Sequence, residues 1–599
     1  MKKITLLILI LATTKGIAQI YFSPNTNMYV KNEILYVTQD INLAAATSNL
    51  YLRNNSQLIQ GTTGASTNTG LGTLSVYQEG TADNFDYNYW CSPVGVPGAS
   101  GNGNFGITML GRPTNSIAST TAAVLPVSNW DGTSNPLAIS PTWVYKLINA
   151  NNYSQWVFVG GATTLLPGEG FSMKGTSGTD AVDPEGSGIT NNPGGAQRYD
   201  FRGKPNDGLI TIPLGANNAT LTGNPYPSAI HLNAFLLDSD NTATGGIAYF
   251  WQQDKTINSH TLINYRGGYG SYAPINLTNN GTYVPATFNS YNGDGSLNTT
   301  GLTSASPILR RYAPIGQGFV ISATADGTAR FKNSHRVFVK KEVGSSQFER
   351  SASKETSSQK ESEAEEIEEE VPQFRLNTII DNQFTRQVAL VMVPQATDGI
   401  DIGMDALNMD DALPNDITFL IENNSYVIQG VNFDVSKKIP LVAKVTTNCT
   451  FKFYIPEVIN FDNSQIIYLY DALDNSYHDI KNGTYEISVT PGYYTERFKL
   501  TFRDENTLGA GDVTATQFFV MQDNVNSILK ASNPNNLALQ SFKLYDVLGK
   551  VVLSKKDLGT EQNYTFSTTG LSSGIYFAEF LTTNNERFRE KIIISNSAR

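Results

Sequence analysis

The shortness of its apolar runs limits this chain more than any other feature. Segments such as "QVALVMV", "SYVIQGV", "KIPLVAKV", "TFKFYI", "QIIYLYDA" and "RFKLTF" are rich in Val, Ile, Tyr and Phe and are separated by turn residues. Runs of this length and composition read as strands. Strong helix formers are scarce outside one short acidic segment, so little competes with that reading. The rhythm starts near Tyr21, where "MYVKNEILYV" and "LYLRNNSQLI" resemble each other and predict either stacked rungs or a hairpin. A chain of 599 residues is longer than one core usually supports, since single cores stop growing at about 250 to 300 residues. The expected fold is therefore all-β: several antiparallel β-sandwich domains, Ig-like or jelly-roll-like, joined by an acidic disordered linker.

Composition places the boundaries. Residues 1–18 have Lys2 and Lys3, an apolar run from Ile4 to Ala12, and small residues at Gly16 and Ala18, the pattern of a secretory signal peptide cleaved after Ala18. Residues 19–345 read as a β-rich head, divisible into two sub-domains by a weak internal repeat: "PGEGFSMKGTSG" and "GQGFVISATADG" both place Gly-x-Gly-Phe before a strand. The segment 346–371 carries nine Glu against Arg350, Lys354 and Lys360, which is −6 of the chain's −11 and leaves −5 for the rest. Dense like charge and low hydrophobicity predict a flexible linker there. Residues 372–505 read as a further sandwich, and after the Gly-containing "ENTLGAGD" a small unit spans 516–599. No segment is apolar enough over roughly 20 residues to predict a membrane span in the mature protein.

Charge and motifs exclude more chemistry than they suggest. There is no basic stripe of the kind that nucleic acid requires. Cys91 and Cys449 lie far apart, in different expected domains, and read as buried free thiols, with no disulfide framework. "GNGNFG", Gly101 to Gly106, fits a dinucleotide fingerprint by letter but follows a Pro- and Gly-rich loop rather than a strand. His231, His260, His335 and His478 are isolated, with no paired spacing for zinc, and Ser177 lacks the last Gly of a nucleophile elbow. The acidic stretch from Asp398 to Asp411 has the oxygen ligands that calcium favours, but it misses the twelve-residue loop pattern and reads instead as a turn or solvated loop. No catalytic, cofactor-binding or metal-ligating set is expected. The aromatic groups "YNYW", Tyr87 to Trp90, and "YFW", Tyr249 to Trp251, read as core, with a sugar-stacking face as the alternative.

The end of the chain carries the most specific pattern. "SFKLYDVLGKVVLSKKDL", "GLSSGIYFAEF" and "RFREKIIISN" together resemble the type A C-terminal sorting domain of the type IX secretion system. The opening departs from that family, with "FFVMQDNVNSILKASNPNN" in place of its Tyr-Pro-Asn-Pro phrase. Gly549, Gly574, Tyr576 and Lys591 match the family pattern and are the expected sorting-signal positions. The resemblance implies a Gram-negative source. It also implies signal peptidase and inner-membrane export machinery, passage through the periplasm, and an outer-membrane translocon with its sorting peptidase. "YNYWCSPVG", "LLPGEGF", "LTGNPYPSAI", "APIGQGF" and "FKNSHRV" resemble segments of large uncharacterised secreted proteins that carry the same domain.

These readings converge on a secreted or cell-surface protein whose head has a glycan or protein ligand, acting in non-enzymatic adhesion or extracellular binding. Two alternatives stay open: a secreted carbohydrate-active protein, either a glycan-binding module or a glycoside hydrolase, and a structural component of a surface layer or matrix.

Overall fold

A computed structural model describes residues 19–152, 155–261, 264, 266–291, 297–300, 310–340, 346, 348, 370–409, 413–505, 518–524, 526–533, 535–584 and 586–595. Residues 1–18, read above as a signal peptide, and nearly all of 346–371, read as a linker, lie outside them. The described chain is built almost wholly of strands, and α-helix among the described residues is confined to Leu232–Leu236. The all-β expectation holds. The chain divides into two compact units, Met1–Arg503 and Asp504–Arg599.

The first unit begins with parallel rungs, the first of the two arrangements expected there. Asn27–Lys31, Asn49–Arg53 and Thr73–Glu79 stack in parallel with Asn27 beside Asn49 and Asn49 beside Thr73. Ile34–Val37 stacks likewise on Gln57–Gln60. Side chains continue the ladder: Asn49 Nδ2 donates to Asn27 Oδ1 at 2.9 Å, and Thr73 Oγ1 donates to Asn49 Oδ1 at 2.9 Å. Asn32, Asn54 and Asn55 turn the corners at φ of 58°, 46° and 66°, a left-handed conformation that asparagine tolerates better than most residues.

The last rung changes partner. Thr73–Glu79 pairs antiparallel with Arg198–Pro205, and Leu110–Pro113 adds beyond that strand. A second antiparallel sheet runs Ala219–Gly223, Gly318–Ala323, Thr244–Gln253 and Gly267–Ala273. It is covered on both faces: Tyr249 packs in one hydrophobic cluster with Phe374 and Leu390, and its neighbour Phe250 in another with Phe235 and Phe319. "YFW" therefore reads as a continuous apolar run rather than an alternating one, as strands buried on both sides do. The two Gly-x-Gly-Phe phrases lie close together. Phe171 and Phe319 are both fully buried, and Thr222 Oγ1, on the strand beside Phe319, donates to Gly168 O at 2.7 Å.

Strands between Gln373 and Thr501 follow one hydrogen-bonded path that places Phe384–Met392 beside Gln373–Ile380 and Lys438–Val445 beside Gly492–Thr501. A buried pair crosses it, with Arg386 Nε and Nη2 donating to Asp416 Oδ1 and Oδ2 at 2.7 and 2.8 Å. Segments on either side of residues 346–371 share a core and bond directly: Arg375 Nη1 donates to Tyr283 O at 2.7 Å, and Gly403 N to Gly245 O at 3.1 Å.

The second unit is a small antiparallel sandwich. Phe519–Asp523, Ile528–Ser532 and Asn563–Ser567 form one sheet; Val551–Gly559, Leu539–Asp546, Gly574–Thr582 and Arg587–Ile594 form the other. Leu529, Phe542, Leu544, Phe566, Ala578 and Phe580 fill its interior. No helix among the described residues is long and apolar enough to cross a membrane.

Candidate functional site

The four positions singled out near the end of the chain fall on one sheet and its turns. Asp546 organises the first turn: its Oδ1 accepts from Leu548 N and Lys550 N at 2.9 Å each, and Gly549 sits in the turn at φ 79° with open space where a Cβ would stand. Glycine is favoured there because an L side chain strains that backbone. Gly574 differs. It opens its strand, while the left-handed residue of the preceding turn is Gly570 at φ 84°. Tyr576 points inward, and its hydroxyl donates to Ser572 O at 2.8 Å, tying the "LSSG" turn to the strand that follows. Lys591 is exposed and lies opposite Phe577 on the neighbouring strand.

Alternation along Gly574–Thr582 buries Tyr576, Ala578 and Phe580 and turns Ile575 and Phe577 outward. Ile575 faces Ile593 across the strand pair, and all three outward residues are well exposed. The sheet thus has an apolar inner face and an outer face of Ile575, Phe577, Ile593 and Lys591.

In the first unit most of the polar candidates are engaged in the fold. His231 Nδ1 accepts from Ala234 N at 3.2 Å at the start of the one short helix. His335 Nε2 lies 2.7 Å from Asp238 Oδ2, and His478 stacks on Tyr485 with centroids 3.5 Å apart. Ser177 Oγ donates to Gly132 O at 2.8 Å. "GNGNFG" forms a tight loop whose Gly101 O accepts from Lys204 Nζ. The acidic stretch caps turns: Asp401 Oδ2 accepts from Thr397 N at 2.6 Å, and Asp405 accepts from Asp401 N and Gly430 N at 2.6 and 2.7 Å. Burial pushes the Asp405 carboxyl up to about 7. Asp410 and Asp411 lie outside the described residues. Among the described residues no His, Cys, Asp or Glu group is arranged to hold a metal.

Both thiols are buried and unpaired. Burial and then the nearby Glu169 hold the Cys91 thiol far above its ordinary range, and burial pushes Cys449 up to about 11.

One constellation escaped sequence reasoning because its members are far apart in the chain. Trp130 and Asp131 on one loop, Trp143 on a short 3-10 turn, Lys174 on a strand, His260 on another loop, and Asn84 converge. His260 stacks on Trp143 with centroids 5.1 Å apart, and Trp130 meets Trp143 edge-on at 6.1 Å. Lys174 Nζ lies 4.2 Å from the Trp143 ring centroid and 3.1 Å from His260 Nδ1. A charged ammonium only donates, so Nδ1 accepts and the Nε2–H donates to Asp131 Oδ1 at 2.8 Å. Asn84 Nδ2 donates to the same oxygen.

Burial lowers Lys174 to about 8 against the opposing pull of Asp86, Asp83 and Asp131. Burial and then Asp83 raise Asp86 to about 7. At Asp131, partial burial acts upward, but the bonds from His260 and Asn84 outweigh it and the carboxyl is lowered. The one available sequence signal was Lys174 itself, a cation ending the fully buried strand Gly170–Lys174, since such a group needs partners.

"YNYW" and "YFW" divide between roles. Trp90, Tyr249 and Phe250 are fully buried, while Tyr87 and Trp251 are half-buried. Trp251 meets Tyr269 edge-on at 5.2 Å beside the core.

Comparison with known proteins gives two family matches. Residues 7–502 match the family described as Domain of unknown function (DUF8693), and residues 522–595 match the Secretion system C-terminal sorting domain. No curated protein matches. A solved structure titled "Biofilm associated protein - BSP domain" aligns with 88% of this chain and 96% of its own at 6% identity, with a TM-score of 0.15, at which no shared fold is implied. The sorting domain makes the chain a cargo of the type IX secretion system, delivered to the cell surface or the extracellular space.

Proposed function

We propose that this chain, which belongs to the DUF8693 family of domains of unknown function, is an extracellular binding protein that works in adhesion without catalysing a reaction. The observation that carries the proposal is the sorting unit at residues 522–595, attached to a much larger all-β unit whose His231, His335 and Ser177 are engaged in structural hydrogen bonds. A rigid β scaffold presenting loops suits recognition, since binding residues concentrate on loops held by such frames.

In this reading residues 1–18 are removed by signal peptidase after Ala18 following inner-membrane export, and the chain crosses the periplasm. Gly549, Gly574, Tyr576 and Lys591 then form part of the surface read by the outer-membrane translocon and its sorting peptidase. The segment 346–371 serves as a linker between the head, 19–345, and the sandwich, 372–505, and 516–599 is the sorting unit.

The test uses the protein recovered from the culture medium or the cell surface. It is assayed for adhesion to cells and to immobilised extracellular polymers, and for turnover of polysaccharide and protein substrates. Adhesion without turnover is expected. Turnover abolished by a single carboxylate or serine substitution overturns the proposal.

A further inference from the structure

The loop bearing Trp130 has a property that packing does not explain. Trp130 is 52% exposed, yet its surroundings hold it firmly. Its carbonyl accepts from Trp143 Nε1 at 2.8 Å, Thr142 Oγ1 donates to Val127 O at 2.6 Å, and Ser140 Oγ donates to Asn129 O at 2.7 Å. An indole left in water forgoes hydrophobic stabilisation. These bonds fix the loop, and Trp143 and His260 meet the indole edge-on at 6.1 and 5.9 Å, which lowers the entropy lost when something stacks on it.

Asp131, next in the chain, has a side chain 54% exposed. Both of its hydrogen bonds among the described residues, from Asn84 and His260, go to Oδ1. Its Oδ2 accepts none there. The relay from Lys174 through His260 orients the carboxylate from behind, and a carboxylate so oriented is a strong acceptor for hydroxyl groups. An aromatic face beside a few oriented polar groups is the usual composition of a small-molecule subsite.

We propose that Trp130, Trp143 and Asp131 form a binding subsite for a neutral hexose unit of a polysaccharide. The C–H face of the sugar lies on the Trp130 indole, and Asp131 accepts from its hydroxyls. Charge selects the class of sugar. The charge presented beside the Trp130 face is the exposed Asp131 carboxylate, while Lys174 is buried behind His260, which disfavours uronates, sulfated sugars and phosphates. This deepens the extracellular-binding reading and rests on it.

The test is affinity electrophoresis and titration calorimetry of the full-length exported protein against a soluble β-glucan, a mannan and an α-glucan, with alginate as the polyanionic comparison. At least one neutral polymer is expected to retard the protein, and alginate is not. Trp130→Ala is expected to weaken that binding about tenfold or more. Asp131→Asn, which keeps the side chain's shape, is expected to weaken it comparably, with the melting temperature lowered by no more than a few degrees.

Absence of retardation by all three neutral polymers overturns the proposal, as does undiminished binding by both variants or equal binding to alginate. If the neutral polymers fail while adhesion to cells or immobilised proteins persists, the sugar assignment falls and the extracellular-binding reading stands. If adhesion is absent as well, both fall.

Discussion

The His260 ring lies nearly flat against Trp143, with planes 11° apart, and from that position its two nitrogens join Lys174 to Asp131. Replacing it by an apolar residue of similar bulk fills the same space against Trp143 and removes the link. His260→Leu takes one acceptor from the Lys174 ammonium and one donor from the Asp131 carboxylate, and a lost hydrogen bond to a charged group costs about 1.5–3 kcal/mol. Chemical denaturation should show a loss of that size, with His260→Gln losing less because its amide both accepts and donates. Equal stability of His260→Leu and wild type would mean that the relay is not formed.

Asp86 makes the first unit less stable as pH rises. Its carboxyl is near 3.8 when unfolded and about 7 when folded, so the folded state holds a proton that the unfolded state has released. The stability this gives is complete below the unfolded value and is lost as pH climbs to about 7. Asp405 acts with the same sign. Asp86→Asn, whose amide oxygen can still accept from Gln253, should flatten this slope and gain on the order of 2–4 kcal/mol relative to wild type at alkaline pH. Denaturation midpoints across the pH range measure it. Parallel profiles for the two proteins would contradict it.

Three substitutions separate strain from tolerance in the sorting unit. Gly549→Ala forces an alanine to φ 79° with no neighbour to meet, costing about 1 kcal/mol. Tyr576→Phe removes the bond to Ser572 O and costs about the same. Gly574→Ala places its Cβ 3.9 Å from the Tyr576 ring, an ordinary contact, and should leave the melting temperature of this unit unchanged. Gly574→Ala as damaging as Gly549→Ala would contradict the turn geometry.

What the sequence made legible follows from how local each signal is. Period-two alternation along Gly574–Thr582 is visible in the residues themselves, with Tyr576, Ala578 and Phe580 inward and Ile575 and Phe577 outward. Short runs divided by turns identified an all-β protein. The two phrases near Tyr21 were readable as similar, but whether they stack or fold back depends on pairing between strands, which no local pattern encodes. Tyr249 and Phe250 show another limit, since a strand covered on both faces loses its alternation and looks like any apolar run. Trp130, Asp131, Trp143, Lys174 and His260 lie on four separate segments, so only the fold brings them together.

The most direct measurement follows where the protein goes. Cells producing the full chain and cells producing a variant without Thr516–Arg599 are fractionated, and the protein in each fraction is identified with its ends by mass spectrometry. The full chain should be found outside the outer membrane and the shortened one retained in the periplasm. Arrival of the shortened protein at the surface or in the medium at the wild-type level would contradict delivery through the sorting unit, and with it the extracellular role proposed for the larger unit.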